Sequence, residues 1–146
     1  MNLNLKQKAQ KGFTLIELMI VVTVLAILGT IGMRGFNAWV GGANVDVATY
    51  FVERDFLSAV TQCYRINRGY GNCDKSELTR YGLSDQTAWD TDWTVSVAGN
   101  TFNISMPVPD DEDGTNLATR LNSSEVEHIN NASYSGSSVT VELVMP

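Results

Sequence analysis

The sequence predicts an α+β fold in which one long N-terminal helix, half membrane-spanning and half amphipathic, packs on a small antiparallel β-sheet. Three observations support this prediction. An apolar run of about twenty residues follows Gly12, an amphipathic helical pattern comes next, and alternation of apolar and polar residues begins only at Trp93. Helical periodicity that precedes strand periodicity is typical of the α+β class.

Composition limits the classes of function. The chain has 146 residues and a net charge of −6. Once a membrane-length segment is set aside, the remainder can build a single small head with a modest core. The balance of 10 basic against 16 acidic residues argues against a surface that binds nucleic acid, because phosphate contacts need clustered Lys and Arg.

The N-terminus resembles a secretory signal in its order of charge and hydrophobicity, but not in its cleavage site. Lys6, Lys8 and Lys11 precede the apolar run, and no small-residue cleavage pattern follows it. The sequence instead favours cleavage between Gly12 and Phe13, before the apolar run. The hydrophobic helix would then remain in the mature protein.

Glu17 is the one charged residue inside the apolar run. A carboxylate within a membrane helix costs roughly 2.5 to 3.5 kcal/mol on insertion scales, so a functional partner is expected. A free amine at Phe13, created by cleavage, is such a partner, because each charge neutralises the other in apolar surroundings. The alternative is a glutamate near the helix end whose side chain extends to the membrane surface.

The stretch "GFTLIELMIVV" resembles the N-terminal signal of type IV prepilins and of the related pseudopilins of type II secretion. This resemblance implies the pilin fold, cleavage after Gly12 by a prepilin peptidase, and N-methylation of Phe13. It also implies that Glu17 pairs with the N-terminal amine of a neighbouring subunit during fibre assembly.

The same resemblance divides the chain into three parts. Residues 1–12 are expected to be a cleaved leader, residues 13–35 a transmembrane and fibre-core helix, and residues 36–146 a globular head that includes the amphipathic half of the long helix. Many type IVa pilins carry a proline where Arg34 stands here, so no proline kink is predicted. Three glycines lie nearby: Gly29, Gly32 and Gly35. They predict either a soft segment, in which the helix is weakened by the low helix propensity of glycine, or close packing between helices.

The long helix is expected to run nearly continuously from Phe13 to about Arg65, with Gly41 and Gly42 as a second weak point. A core-facing stripe follows at helical spacing, formed by Val45, Ala48, Val52, Phe56, Ala59, Val60 and Cys63. Polar residues occupy the other faces. The stripe predicts that this half of the helix is packed against the head.

The head is predicted from shorter signals. A loop and a helical turn near Ser76 to Tyr81, with Ser76 as N-cap, precede a hairpin that turns at Gly99 and Asn100. Apolar residues alternate on both arms of the hairpin: Trp93, Val95 and Val97, then Phe102, Ile104 and Met106. A short helix from Asn116 to Leu121 and a third strand at Val139, Val141 and Leu143 complete the prediction.

Cys63 and Cys73 match no zinc pattern, since a metal site would need further ligands and His128 is the only histidine. If this part of the chain is exported, the two cysteines are expected to form a disulfide that ties the end of the long helix to the next loop. No cofactor is expected. A weak alternative for a metal is calcium at Asp110, Asp111 and Asp113, although a solvated acidic loop is the expected structure there.

No catalytic constellation is found, so an enzyme is not expected. The sequence contains no nucleophile-elbow motif with which His128 could act. A cluster that could contact single-stranded nucleic acid is formed by Tyr64, Arg65, Arg68 and Tyr70, but the excess of acidic residues in the chain argues against such binding. The resemblance implies a structural pilin that polymerises into an extracellular fibre for adhesion, motility or DNA uptake. The alternatives are a pseudopilin of a type II secretion system and a minor pilin with a binding head.

The implied partners are other pilin subunits, the prepilin peptidase and an inner-membrane assembly platform. The implied location is the bacterial inner membrane with the head in the periplasm, and the extracellular pilus after assembly. Subclass signals conflict, because the twelve-residue leader and Phe13 are similar to type IVa pilins while the proline-free helix is similar to type IVb.

Overall fold

The computed structural model describes residues 14–146, without the side chains of Arg34, Asn37 and Ala38. Helix α1 (Leu15–Tyr50) leads through a π-helical segment (Phe51–Phe56) into α2 (Leu57–Asn67). The remaining elements are α3 (Lys75–Arg80), β1 (Thr94–Ala98), β2 (Thr101–Pro107), α4 (Asp111–Asn122), β3 (Ile129–Ser135) and β4 (Ser138–Val144). The predicted α+β class is confirmed.

The chain forms two compact units, of which the first ends at Ala38 and the second spans Trp39–Pro146. The described part of the first unit consists of the N-terminal portion of α1, and its side chains are exposed from Thr14 to Met33. The second unit contains the rest of α1 and all the other elements, and it holds the hydrophobic core.

The long helix is close to the predicted one, with one irregularity. Helical structure extends from Leu15 to Asn67 and includes Gly41 and Gly42. The π-helical segment adds residues to one turn, and both Phe51 and Val52 are buried there. All seven residues of the predicted stripe are buried, and Phe51 is an eighth that the helical spacing did not include.

The sheet has four antiparallel strands in the order β1-β2-β4-β3. The predicted hairpin is confirmed: Ala98 pairs with Thr101, and Gly99 adopts φ +64° in the turn between them. The predicted third strand is β4, which pairs with β2 along its whole length. Strand β3 was not predicted. It is an edge strand in which only Ala132 is buried, so it lacks an apolar alternation.

Two helix boundaries differ from the sequence prediction. Helix α3 is capped by Asp74 rather than Ser76, since the Asp74 carboxylate accepts a hydrogen bond of 2.9 Å from the Glu77 N–H. The Ser76 hydroxyl instead donates to Asp74, and hydrogen bonds from Ser76 and Glu77 hold the pKa of Asp74 below its ordinary value. Helix α4 begins at Asp111, five residues before the predicted start.

The core of the second unit is built on aromatic rings. Trp93 is fully buried just before β1, and Phe51 and Phe56 contact its ring edge-on at centroid distances of 5.4 and 6.2 Å. Phe56 also contacts Phe102 of β2. Edge-to-face pairs of this kind add stability beyond the area that they bury. They join the helix to the sheet at its centre.

Candidate assembly site

The apolar N-terminal helix is the first feature of the site. The 19 residues Leu15–Met33 are long and apolar enough to cross a membrane, by length and composition, and none of them is buried. The hydroxyl groups of the two threonines in this segment donate hydrogen bonds to backbone carbonyls of the same helix. Thr23 donates to the Met19 carbonyl at 2.7 Å and Thr30 to the Ile27 carbonyl at 2.8 Å. Glu17 is therefore the only polar side chain of the segment that needs a partner from elsewhere.

Glu17 lies in the first turn of α1, where the helix dipole favours a negative charge. Its backbone N–H donates to Thr14, at 3.1 Å to the carbonyl and 3.3 Å to Oγ1. Thr14 and Glu17 thus have the spacing of a capping box, a signal in the sequence that the prediction did not use. Within residues 14–146 the Glu17 carboxylate has no hydrogen bond or ion pair.

The two residues of the predicted processing site, Gly12 and Phe13, lie outside the described residues. The pairing of Glu17 with an amine at Phe13 therefore stays a prediction. The glycines of the predicted soft segment are described, and a Cβ added at any of them would meet no atom within 4 Å: Gly29, Gly32 and Gly35.

The predicted disulfide is present. Cys63, in α2, is bonded to Cys73, in the loop before α3, with a Cα–Cα distance of 5.9 Å. Both residues are fully buried. Helix α2 ends between them at Arg68, which adopts a left-handed conformation with φ 53° and donates its N–H to the Tyr64 carbonyl. The bond thus ties the end of the helix to the loop.

The acidic run is part of a helix rather than a solvated loop, which corrects the prediction. Asp110 is the N-cap of α4 and accepts a hydrogen bond of 2.8 Å from the Glu112 N–H. Asp111 accepts a hydrogen bond from the Tyr134 hydroxyl, which raises the pKa of Tyr134. Asp113 accepts one from the Trp89 indole.

The three calcium candidates, Asp110, Asp111 and Asp113, thus interact with three different parts of the head. Among residues 14–146, no group of three or more His, Cys, Asp and Glu side chains is arranged to hold a metal ion. In the described part of the head, these carboxylates accept hydrogen bonds from a backbone N–H of α4, a tyrosine hydroxyl and an indole.

In the cluster weighed as a nucleic-acid surface, the two tyrosines make ring contacts, whereas Arg65 and Arg68 are exposed. The rings of Tyr64 and Tyr70 lie 4.6 Å apart, and Tyr70 also contacts Phe102 edge-on. Burial raises the pKa of Tyr70. His128 lines the groove beside these rings, together with Met145 and Pro146.

A second apolar face of α1 was missed in the sequence. Trp39, Val47 and Tyr50 are 71%, 55% and 64% exposed, on the side of the helix opposite Val45 and Ala48. The signal was available, because apolar residues recur there at helical spacing.

Comparison with known proteins is clearest at the N-terminus. Residues 7–33 match the family described as the prokaryotic N-terminal methylation motif. The type IV major pilin protein PilE1 of Neisseria gonorrhoeae is 42% identical over 60 residues, which cover 41% of this chain and 35% of that protein. The chain thus matches about a third of the length of these neisserial relatives.

Two other relatives match over different extents. The prepilin peptidase-dependent protein D of Escherichia coli strain K12 is 38% identical over 66 residues, 44% of each chain. The type IV major fimbrial protein FimA of Dichelobacter nodosus is 30% identical over 112 residues, which cover 75% of this chain and 70% of FimA. This match extends beyond the apolar helix into the head. No solved structure matches the chain.

Proposed function

Because the chain belongs to the type IV pilin family, we propose that it is a structural subunit that polymerises through its N-terminal helix into an extracellular fibre. The observation that carries this proposal is the exposed apolar helix Leu15–Met33 with Glu17 as its single charge. An apolar surface of that length needs a membrane or other subunits to cover it.

Processing is the first step that we propose. A prepilin peptidase cleaves after Gly12, the new N-terminus at Phe13 is methylated, and residues 1–12 are lost as a leader. The match to the methylation motif and the relative named for its dependence on a prepilin peptidase support this step. Before assembly, the processed subunit is anchored in the inner membrane by its apolar helix, with its head in the periplasm.

Assembly is the second step. An assembly platform in the inner membrane transfers the subunit into the fibre, where the Glu17 carboxylate meets the Phe13 amine of a neighbour. The pair favours one axial register, because any other register leaves two charges in apolar surroundings. The assembled fibre would then serve adhesion, motility or DNA uptake.

Fibre isolation tests this proposal. Sheared surface fractions from cells that express the chain are examined by electron microscopy and mass spectrometry, and a deletion strain serves as the control. We expect fibres in which this chain is the most abundant protein. Fibres of normal number in the deletion strain would point instead to a minor pilin. A chain that stays in the membrane, with secretion lost on deletion, would point to a pseudopilin.

A further inference from the structure

The sheet has two edge strands, and one of them, β3, is closed by a side chain. Hydrogen bonds of an antiparallel pair alternate along each strand, so every second residue of an edge strand turns its N–H and C=O outwards. Ser135 pairs with Ser138 at the turn, which directs the backbone of Ala132 outwards. There the Asn122 side chain donates to the Ala132 carbonyl at 2.6 Å and accepts from its N–H at 2.8 Å. Helix α4 thus occupies the middle of this edge.

The other edge strand, β1, is open. Ala98 pairs with Thr101 at the hairpin turn, so the same alternation directs the N–H and C=O of Val95 and Val97 away from β2. Among residues 14–146, no hydrogen bond is made by any of these four backbone groups. They form a regular row to which a further strand could bond.

Strand β1 also lacks the features that usually keep an edge from pairing. Natural edge strands carry lysine, proline or a bulge that blocks a second chain. The β1–β2 register is regular, and no charged or proline residue occurs from Trp93 to Met106. The exposed side chains of β1 are small and uncharged: Thr94, Ser96 and Ala98. An approaching strand would therefore meet no charge and no bulky side chain on this face.

We propose that β1 pairs with β1 of a second copy of this chain, antiparallel, so that two four-stranded sheets become continuous. Val95 would then lie opposite Val97 of the second copy, and Ser96 opposite Ser96 on a two-fold axis. This register pairs all the outward backbone groups of both strands, which a helix or a loop could not do. A second copy offers β1 as its edge, because the middle of β3 is already bonded to Asn122.

The contact is lateral and weak. One short strand buries less than a standard interface of about 1,600 Å², so pairing should depend on concentration. A two-fold contact closes on itself, so it joins heads in pairs and cannot propagate a fibre. It uses residues of the second unit only and does not rest on the proposed function. Failure of either proposal therefore leaves the other standing.

Disulfide trapping in the full chain tests both the contact and its register. Thr94→Cys and Ala98→Cys chains, one of them tagged, are mixed in lipid vesicles and oxidised mildly, and the products are mapped by mass spectrometry. In the proposed register position 94 faces position 98 of the second copy, at the short Cα separation of a pair without hydrogen bonds, which a disulfide can span. Two copies of Thr94→Cys would instead place their thiols four residues apart along the strands, beyond that reach.

We expect the mixture to crosslink at least tenfold more than either variant alone. Equal crosslinking of the single variants would indicate random collision, and no crosslink in the mixture would indicate no pairing. Either result would overturn the proposal. So would a Ser96→Cys chain that, in whole cells, is linked to a different protein instead of a second copy.

A charge on the two-fold axis gives a second test. Ser96→Lys, added to both cysteine variants, should reduce the crosslink about tenfold, because like charges directly opposite each other destabilise a strand pair. Ser133→Lys is the matched control, since Ser133 is an exposed serine on β3, and it should leave the crosslink unchanged. Formation of the Cys63–Cys73 bond shows that each variant head folds. An undiminished crosslink in the Ser96→Lys chains would contradict the proposed edge contact.

Discussion

The indole of Trp89 donates a hydrogen bond to the Asp113 carboxylate across 3.1 Å, and that carboxylate lies against helix α1 at Gly41. A Cβ at Gly41 would be 2.7 Å from Oδ1 of Asp113. The glycine that the sequence marked as a weak point therefore permits a close contact. It joins the helix, the first turn of α4 and the loop before β1.

This contact predicts different effects of alanine at two adjacent glycines. Gly42→Ala should raise the free energy of unfolding by up to about 1 kcal/mol, because alanine favours the helix and the position is open. Gly41→Ala should lower it by about 1 kcal/mol relative to Gly42→Ala, because Asp113 must move and its hydrogen bond weakens. Chemical denaturation of the full chain in detergent measures both.

A double-mutant cycle isolates the cause of the difference. In an Asp113→Ala background, Gly41→Ala and Gly42→Ala should stabilise the head equally, since the obstructing carboxylate is gone. A persistent deficit for Gly41→Ala in that background would mean that the close approach to Asp113 does not limit this position.

Removal of the Glu17 charge should harm assembly far more than folding. Glu17→Ala should leave membrane insertion, cleavage and the head intact, because the segment becomes more apolar and the residues beside the cleaved bond are unchanged. Fibres should be scarce or absent, because the Phe13 amine of a neighbour would be buried without its partner. Glu17→Gln should be intermediate at best. Electron microscopy and blots for processed subunit measure these effects.

Thr23→Ala provides the matched control, since it also removes a polar side chain from the same helix. The Thr23 hydroxyl bonds only to the Met19 carbonyl within the helix, so fibres should form normally. Normal fibres from cleaved Glu17→Ala subunits would show that the carboxylate is not the assembly contact. The alternative would then take its place, namely a glutamate near the helix end whose side chain extends to the membrane surface.

The mature protein should begin at Phe13 with an N-methyl group. Intact mass of subunits from sheared fibres, followed by fragmentation of the N-terminal peptide, measures this. Gly12→Leu serves as the comparison and should leave the full-length chain in the membrane. A mature chain that begins beyond residue 30 would instead indicate an ordinary signal peptide.

Loss of the disulfide should weaken the head without changing its fold. Cys63→Ser together with Cys73→Ser should lower the free energy of unfolding by about 3 kcal/mol, the chain-entropy estimate for a short closed loop. Thermal unfolding of the variant, and of reduced wild-type protein, should show similar losses. Two thiols that label in non-reduced, exported protein would contradict the bond itself.

Much of the fold was predictable because its signals are local. The apolar run, the stripe that includes Val52 and Phe56, and the hairpin at Gly99 each depend on periodicity or turn chemistry within a few residues. The disulfide was predictable because the chain contains only two cysteines. Strand β3 was not, since an edge strand with one buried residue needs little apolar patterning, and its pairing with β4 is what makes it a strand.

The sequence by itself determined the class of the protein, its apolar helix and the position of Glu17 in that helix, because hydrophobicity and a motif are properties of consecutive residues. Only the tertiary structure decided what the acidic run does. Asp111 and Asp113 have partners in Tyr134 and Trp89, each more than twenty positions away in the chain. Contacts at such separation depend on how helix and sheet pack, and no local pattern encodes them.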